Sequence, residues 1–191
     1  MVFLAAIRLR DAFYHTLFSR INSWGITVQD AIGYDWDSFM PRERAVITFL
    51  RRDGEVLLIH KKRGLGAGKI NGPGGRIEEG ETAVQAAVRE TREEVGMETQ
   101  RPVEHATLHF AFRDGYSLTV YVFVSERFAG APQETDEAIP FWAPLNAIPY
   151  GRMWADDEHW LPVVLAGKYV EGRFVFDGDA MVYSDVTVRE R

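Results

Sequence analysis

The sequence contains no cysteine among its 191 residues. Disulfides, thiolate nucleophiles and cysteine-based zinc sites are therefore excluded within it, and the absence fits a cytoplasmic protein. No apolar run approaches the roughly 20 residues of a membrane-spanning helix, so no membrane partner is expected. Positive charge is in deficit: 22 Lys and Arg stand against 28 Asp and Glu, a net charge of −6. The chain as a whole has no attraction for nucleic acid or anionic lipid, and a nucleic-acid partner is not expected. Repeats and low-complexity tracts are absent. What is present is an ordinary globular composition, long enough for one domain of average size with an appendage.

The first forty residues differ from the rest. Residues 3–21, "FLAAIRLRDAFYHTLFSRI", place Leu4, Ile7, Phe13, Leu17 and Ile21 near helical spacing. Arg8, Arg10 and Arg20 against the single acid Asp11 are also the balance of a targeting peptide. The spacing favours a helix that docks on its own domain or on a second copy of the chain, because an isolated apolar stripe of this length is not stable in water. We therefore divide the chain into an N-terminal helical extension and linker, 1–41, and one domain, 42–191. A homodimer through the N-terminal helix is the favoured arrangement.

From Ala45 the pattern becomes mixed. "AVITFL" (45–50) and "EVLLIHKK" (55–62) read as strands joined across "RRDG", a hairpin turn. "RGLGAGKINGPGG" is loop and residues 82–95 are helix. "ATLHFAF" (106–112) and "SLTVYVFVSERF" (117–128) are strands, and "PFWAPL" (140–145) is a short one. "DDEHWLPVVLAG" (156–167) is helix, and "RFVFDGDAMVYSDVTV" (173–188) is a closing hairpin. With no run of βαβ units, the fold class is α/β of the mixed α+β kind, a mixed sheet with packed helices.

The helix over 82–95 carries the chemistry. Thr82 is its expected N-cap, with Gln85 completing a capping box, and Gly96 its stop. At 100° per residue, Val84, Val88, Thr91 and Val95 form a narrow stripe expected to face the sheet. Glu90, Glu93 and Glu94 fall on an arc beside that stripe, expected to converge on one point. Like charges three and four residues apart repel by a few tenths of a kcal/mol per pair. A solvated face in which Arg89 pairs with Glu93 is one account. A hard cation such as magnesium, which takes clustered carboxylates, is the other, and the glycine-rich loop leading into the acids favours it.

Gly75, Glu81, Arg89, Glu90, Glu93, Glu94, Gly96 and Met97 have the spacing of a known signature. The run resembles the Nudix box, G-x5-E-x7-R-E-U-x-E-E-x-G-U, with Thr91 where an apolar residue is usual. The resemblance implies a Nudix-type α/β/α sandwich and a cofactor, Mg2+ or Mn2+, held by Glu90, Glu93 and Glu94 with a backbone carbonyl at Gly74 or Gly75. It implies a Glu81–Arg89 pair that holds the loop against the helix. The reaction implied is attack of water on a diphosphate linkage, with Glu93 or Glu94 as general base and Glu137 as an alternative base or further ligand. A metal that neutralises phosphate oxygens and acidifies water, beside a carboxylate that accepts the proton, suits that reaction. Lys61, Lys62, Arg63, Lys69 and Arg76 crowd the same loops and can hold a polyphosphate, although an ordinary basic loop has the same composition.

Other short patterns carry less. "GLGAG" lacks the spacing of a dinucleotide fingerprint, and Gly68-Lys69 is followed by Ile70 rather than Ser or Thr. His105 and His109 have zinc spacing only on a helix, and their segment reads as strand. Ser125 and Ser184 have no nucleophile motif around them.

"KKRGLGAGKINGPGGRIEEGET", "MWADDEHWLPVVL" and the final "GRFVFDGDAMVYSDVTVRE" are similar to the animal MutT-type oxidised purine nucleoside triphosphatases, from about Val46 onward. The resemblance implies a purine pocket of Asn71, Phe110, Trp154, Asp156 and Asp157; Lys61 and Lys62, from the basic cluster, are the expected phosphate-side contacts. Trp154 offers a stacking face. Two adjacent buried acids raise one another's pKa, so one can hold a proton and donate while the other accepts. N-capping of the following helix is the plainer role for either. Leu65, Leu118 and Ala45 stand where that family has Phe, Met and Thr, which touches base selectivity. The rival functions are hydrolysis of nucleoside diphosphate sugars or RNA 5′ ends, and an inactive domain that senses a ligand.

Overall fold

A computed structural model of the chain describes residues 34–189. The chain divides between Phe39 and Met40 into two compact units. The expected helix at 3–21 and the dimer contact assigned to it lie outside the described residues. Before Met40, Trp36–Ser38 form one 3-10 turn capped by the Asp35 carboxylate, which accepts from Asp37 N at 3.0 Å.

The second unit is built on an eight-stranded mixed sheet. Its strands are β1 (Glu43–Arg52), β2 (Glu55–Lys61), β3 (Ile70–Asn71), β5 (Val103–Phe112), β6 (Ser117–Ser125), β8 (Ala138–Pro144), β9 (Tyr169–Asp177) and β10 (Ala180–Arg189). The order is β10-β9-β5-β6-β1-β2-β3, with β8 on the other side of β2. Most pairs are antiparallel, but β1 runs parallel to β6 and β5 parallel to β9. The hairpin between β1 and β2 turns at Asp53 and Gly54, whose φ angles of 42° and 80° suit the left-handed turn that matches strand twist.

Strand alternation divides two helices between the two faces. On β1, Val46 packs with Ala86 and Ala87 of helix α1 (Ala83–Val95), and Leu50 packs with Val95 and Met97. Ala45, Ile47 and Phe49 point the other way, into the cluster that holds Trp160, Leu161 and Val164 of helix α2 (Asp157–Leu165). The result is the expected α/β/α sandwich. Among the described residues no helix is long and apolar enough to cross a membrane.

Two local expectations are corrected. The stripe of α1 that faces the sheet is Ala86, Ala87, Thr91, Glu94 and Val95, while Val84 is 48 % exposed. Small alanines make the close contact, so the bulkier valine is not needed there. Thr91 fits the core because its hydroxyl donates to Ala87 O at 2.7 Å. The strand read as 117–128 breaks at Ser125, whose Oγ lies within donating distance of Gln100 O and Arg127 O and accepts from Arg127 N. The remainder, β7 (Arg127–Ala129), pairs with β4 (Glu98–Gln100) as a separate two-stranded sheet.

Candidate active site

The site forms where β1 and β2 part. Beyond their hairpin end, the Pro73–Ile77 loop takes the neighbouring place along β1: Thr48 N donates to Pro73 O, Val46 N to Gly75 O and Ile77 N to Arg44 O, at 2.8–2.9 Å. Only glycine permits this approach. A Cβ on Gly74 would lie 2.1 Å from Val46 O, and one on Gly75 would lie 2.5 Å from the Glu90 carboxylate. The loop therefore lays the start of the box directly against the acids of α1.

Helix α1 begins and ends as expected. Thr82 and Gln85 form the reciprocal capping box, and Gly96 adopts the left-handed C-cap with φ 70°. Arg89 holds the loop to the helix. It grips Glu81 through two hydrogen bonds of 2.9 Å and donates to Arg76 O at 2.9 Å. That grip pulls the Glu81 carboxyl below its usual range.

The three acids of α1 do not share one environment. Glu94 is 1 % exposed; its Oε1 accepts from Lys61 Nζ at 2.9 Å and its Oε2 from Gly74 N at 2.8 Å. Glu90 is buried less completely, and Glu93 is 54 % exposed. Arg89 Nη1 donates to Glu90 at 2.7 Å and to Glu93 at 3.1 Å. In this structure Arg89 and Lys61 offset the repulsion that the sequence assigned to a metal, so the pairing of Arg89 with Glu93 holds as well. Burial raises the Glu90 carboxyl above its usual range, Arg89 opposes this, and Glu94 and Glu93 add to it.

Among the described residues no three Asp, Glu or His side chains stand close enough to form a ready metal cage. The donor set nevertheless fits a hard divalent cation. Three carboxylates leave little more than one turn of helix, two of them line the cleft, and Glu90 is seated against a glycine. The Gly75 carbonyl is already taken by Val46 N. His105 and His109 lie on β5, where His105 Nδ1 meets Lys168 O and His109 Nδ1 meets Thr119 Oγ1.

A cleft of about 510 Å³ opens from these acids across the α2 face of the sheet. Glu90, Glu94, Lys61, Arg63 and Glu137 line one part of it, and Arg63 pairs with Glu137 there. Asn71, Phe110, Trp154, Asp156 and Asp157 line another. Glu93 and Lys62 are not on its wall: Lys62 reaches Glu134 and the Thr135 carbonyl instead, each at 2.6 Å.

The aromatic end is a stack of rings. Phe110 stacks on Phe174 with centroids 5.2 Å apart, Phe112 on Phe176 at 5.5 Å, and Trp154 meets Phe176 edge-on at 5.5 Å. Lys69 lies 4.7 Å over the Trp154 ring and pairs with Asp179 at 2.9 Å.

Asp156 and Asp157 are each 2 % exposed. Neither is a side-chain N-cap of α2. Asp156 accepts from the Trp160 indole N–H at 2.8 Å, and Asp157 accepts from Trp154 N at 3.0 Å. Burial pushes Asp156 up to about 6. Burial and the neighbouring Asp156 push Asp157 well above its usual range. Burial and the repulsion between the two carboxylates thus favour retention of a proton on the pair, which is set beside an indole.

Sequence reasoning missed Glu43 and Tyr116, which also line the cleft. The signal was available: Glu43 continues the alternation that puts Ala45 and Ile47 on this face.

The family profile described as NUDIX domain matches residues 40–164. The chain belongs to the Nudix family. It is 42 % identical over 130 residues to an oxidized purine nucleoside triphosphate hydrolase of Danio rerio, covering 68 % of this chain and 83 % of that one. It is 38 % identical over 131 residues to the protein of the same name from Mus musculus, with the same coverage. Among solved structures, a MutT protein from Bacillus halodurans superposes with a TM-score of 0.68 at 22 % identity, over 75 % of this chain and 97 % of that one. That likeness shows the fold. A MutT Nudix hydrolase from Burkholderia pseudomallei is 28 % identical, with a TM-score of 0.54 over 58 % of this chain and 88 % of that one. The box from Gly75 to Met97 thus sits in a Nudix fold, and its Glu90 and Glu94 open into the cleft that holds the buried aspartate pair.

Proposed function

We propose that this Nudix hydrolase cleaves purine nucleoside triphosphates, oxidised ones such as 8-oxo-dGTP above all, to the monophosphate and pyrophosphate. One observation carries the reading: Glu90 and Glu94 of the box and the buried Asp156–Asp157 pair beside Trp154 line the same cleft. The names of the Danio and Mus relatives support it.

Magnesium, or manganese, held by Glu90, Glu93 and Glu94 with a carbonyl at Gly74, supplies neutralisation of phosphate oxygens and a more acidic bound water. The chain does the rest. Lys61 orients Glu94, and Lys61 and Arg63 set positive charge against the phosphates. Glu93 or Glu94 accepts the proton of the attacking water, and Glu137 is the alternative base at the cleft wall. Trp154 and Phe110 give the base apolar surface to lie against. Asp157 holds a proton and donates it to an acceptor on the base, while Asp156 and Asn71 complete the polar edge. An oxidised purine carries an N–H where the normal base has a lone pair, and a donor–acceptor edge distinguishes the two.

Residues 42–191 carry this activity. Residues 1–41 serve association into a homodimer, and a soluble nucleotide substrate together with the absence of cysteine supports residence in the cytoplasm. The test is incubation with magnesium and a panel of 8-oxo-dGTP, dGTP, a nucleoside diphosphate sugar and a 5′-triphosphate RNA, with products identified by chromatography. Monophosphate and pyrophosphate from 8-oxo-dGTP, at kcat/KM at least about tenfold above dGTP, are expected for a polar edge that reads the oxidised base. Preference for the sugar nucleotide or the RNA, or inertness toward all four, overturns the reading.

A further inference from the structure

Glu43, Tyr116 and Arg76 form a hydrogen-bonded group on the cleft wall for which the purine pocket has no use. The Tyr116 hydroxyl donates to Glu43 Oε2 at 2.6 Å, and Arg76 Nε donates to the same oxygen at 2.7 Å. Tyr116 is itself held by ring contact with Phe112 at 5.5 Å. The carboxylate is therefore fixed in place by two donors, neither of which reaches Oε1.

Its place in the sheet gives this oxygen a ligand. Glu43 lies opposite Leu118 of β6, and Leu118 lies opposite Phe110 of β5. At the usual strand spacing Glu43 stands about 10 Å along that row from Phe110. On its other side β1 meets the loop: Ala45 bridges to Arg76, and Gly75 abuts the Glu90 carboxylate. Glu43 thus lies between the ring that flanks the base and the acids that face the phosphates. In any nucleotide the group between base and phosphates is the sugar.

We propose that Glu43 Oε1 accepts a hydrogen bond from the ribose 2′-hydroxyl, so that the cleft favours ribonucleoside over deoxyribonucleoside triphosphates. This rests on the purine nucleotide reading of the site. A carboxylate on a ribose hydroxyl is a recurrent device of nucleotide recognition. A site built to pair a hydroxyl discriminates strongly against the analogue that lacks it, because its polar group is left unmatched.

The experiment measures kcat/KM for 8-oxo-GTP and 8-oxo-dGTP, together with calorimetric binding of the two corresponding monophosphates. The parent is expected to favour the ribonucleotide by about tenfold in both readouts, the scale of one hydrogen bond to a charged acceptor. Glu43→Leu brings the ratio to about one, and Tyr116→Phe, which frees the carboxylate without removing it, lowers the ratio partway. A parent ratio at or below one, or a ratio that Glu43→Leu leaves unchanged, overturns the proposal while the oxidised-purine reading stands. Failure to turn over or bind either nucleotide overturns both.

Discussion

The Lys61 ammonium donates to Glu94 Oε1 across 2.9 Å, in a pair whose acid is 1 % and whose base is 18 % exposed. A buried charge is tolerated when matched, and the expensive event is removal of one partner. Lys61→Met leaves the Glu94 carboxylate with only the Gly74 N–H, and we expect a loss of roughly 3 kcal/mol in urea denaturation. Glu94→Gln costs less, because Lys61 can turn to water, but turnover falls by at least about a hundredfold, the scale of lost acid–base or metal chemistry. Glu93→Gln, at an exposed position, changes stability by less than about 0.5 kcal/mol. Equal denaturation midpoints for the Glu93 and Lys61 variants would refute this ranking.

Gly74 and Gly75 separate folding from metal binding. Alanine at 74 places a methyl 2.1 Å from the Val46 carbonyl and 2.9 Å from Ile47 Cα, both backbone atoms. The loop must leave β1, at a cost of about 1–3 kcal/mol for overpacking. Alanine at 75 meets the Glu90 carboxylate, a side-chain end that can move. Gly75→Ala should keep the parent melting temperature without metal, yet lose the stabilisation that added magnesium gives the parent. Melting curves with and without 5–10 mM-scale magnesium, or with chelator, read both effects. A Gly75→Ala protein that magnesium stabilises as it does the parent would show that Glu90 binds no ion.

The box was legible in the sequence because it is local. Capping at Thr82 and the stop at Gly96 follow from spacings within one helix, and the family resemblance implied the Glu81–Arg89 pair. The hairpins were legible for the same reason. What distant segments do was not. The parallel pairings of β1 with β6 and β5 with β9 join elements that no short periodicity connects. Strands of three residues, β4 and β7, are too short to show alternation. The burial of Glu94 could not be read from hydrophobicity, because a carboxylate is buried there only with Lys61 and Gly74 brought from elsewhere. The alternation of β1 could have placed Glu43 on the cleft face, but its partners Tyr116 and Arg76 arrive from two other loops.

The unit from Met40 to Arg191 holds every cleft residue named above. Deletion of residues 1–39 should therefore preserve magnesium-dependent turnover within about threefold, the range of surface effects. The apolar positions Leu4, Ile7, Phe13, Leu17 and Ile21 should take the dimer contact with them. Static light scattering of the full chain and the truncated chain decides the matter. A full-length monomer excludes the dimer.

Asp156 and Asp157 should make stability depend on pH in a defined direction. Asp156 is raised from 3.8 to about 6 and Asp157 is raised as well, so the folded protein binds more protons than the unfolded chain between those values. The contribution of a raised acid is fully present below the unfolded pKa and is lost as pH rises through the folded one. Above pH 6 the fold therefore bears charge in a site that burial disfavours. Asp156→Asn removes that charge and keeps an oxygen to accept the Trp160 indole N–H. The variant should match the parent near pH 4 and exceed it by an amount on the order of 3 kcal/mol at pH 8, the cost of ionising a buried carboxyl raised from 3.8 to about 6. The same change removes half of the polar edge, so KM for 8-oxo-dGTP should rise by about tenfold or more, from about 1–3 kcal/mol for an unmatched buried group. Denaturation from pH 4 to pH 8 and initial rates at pH 8 measure both. A stability difference that stays flat across that range would show that Asp156 does not titrate there, and the raised, buried carboxyl on which this prediction rests would be refuted.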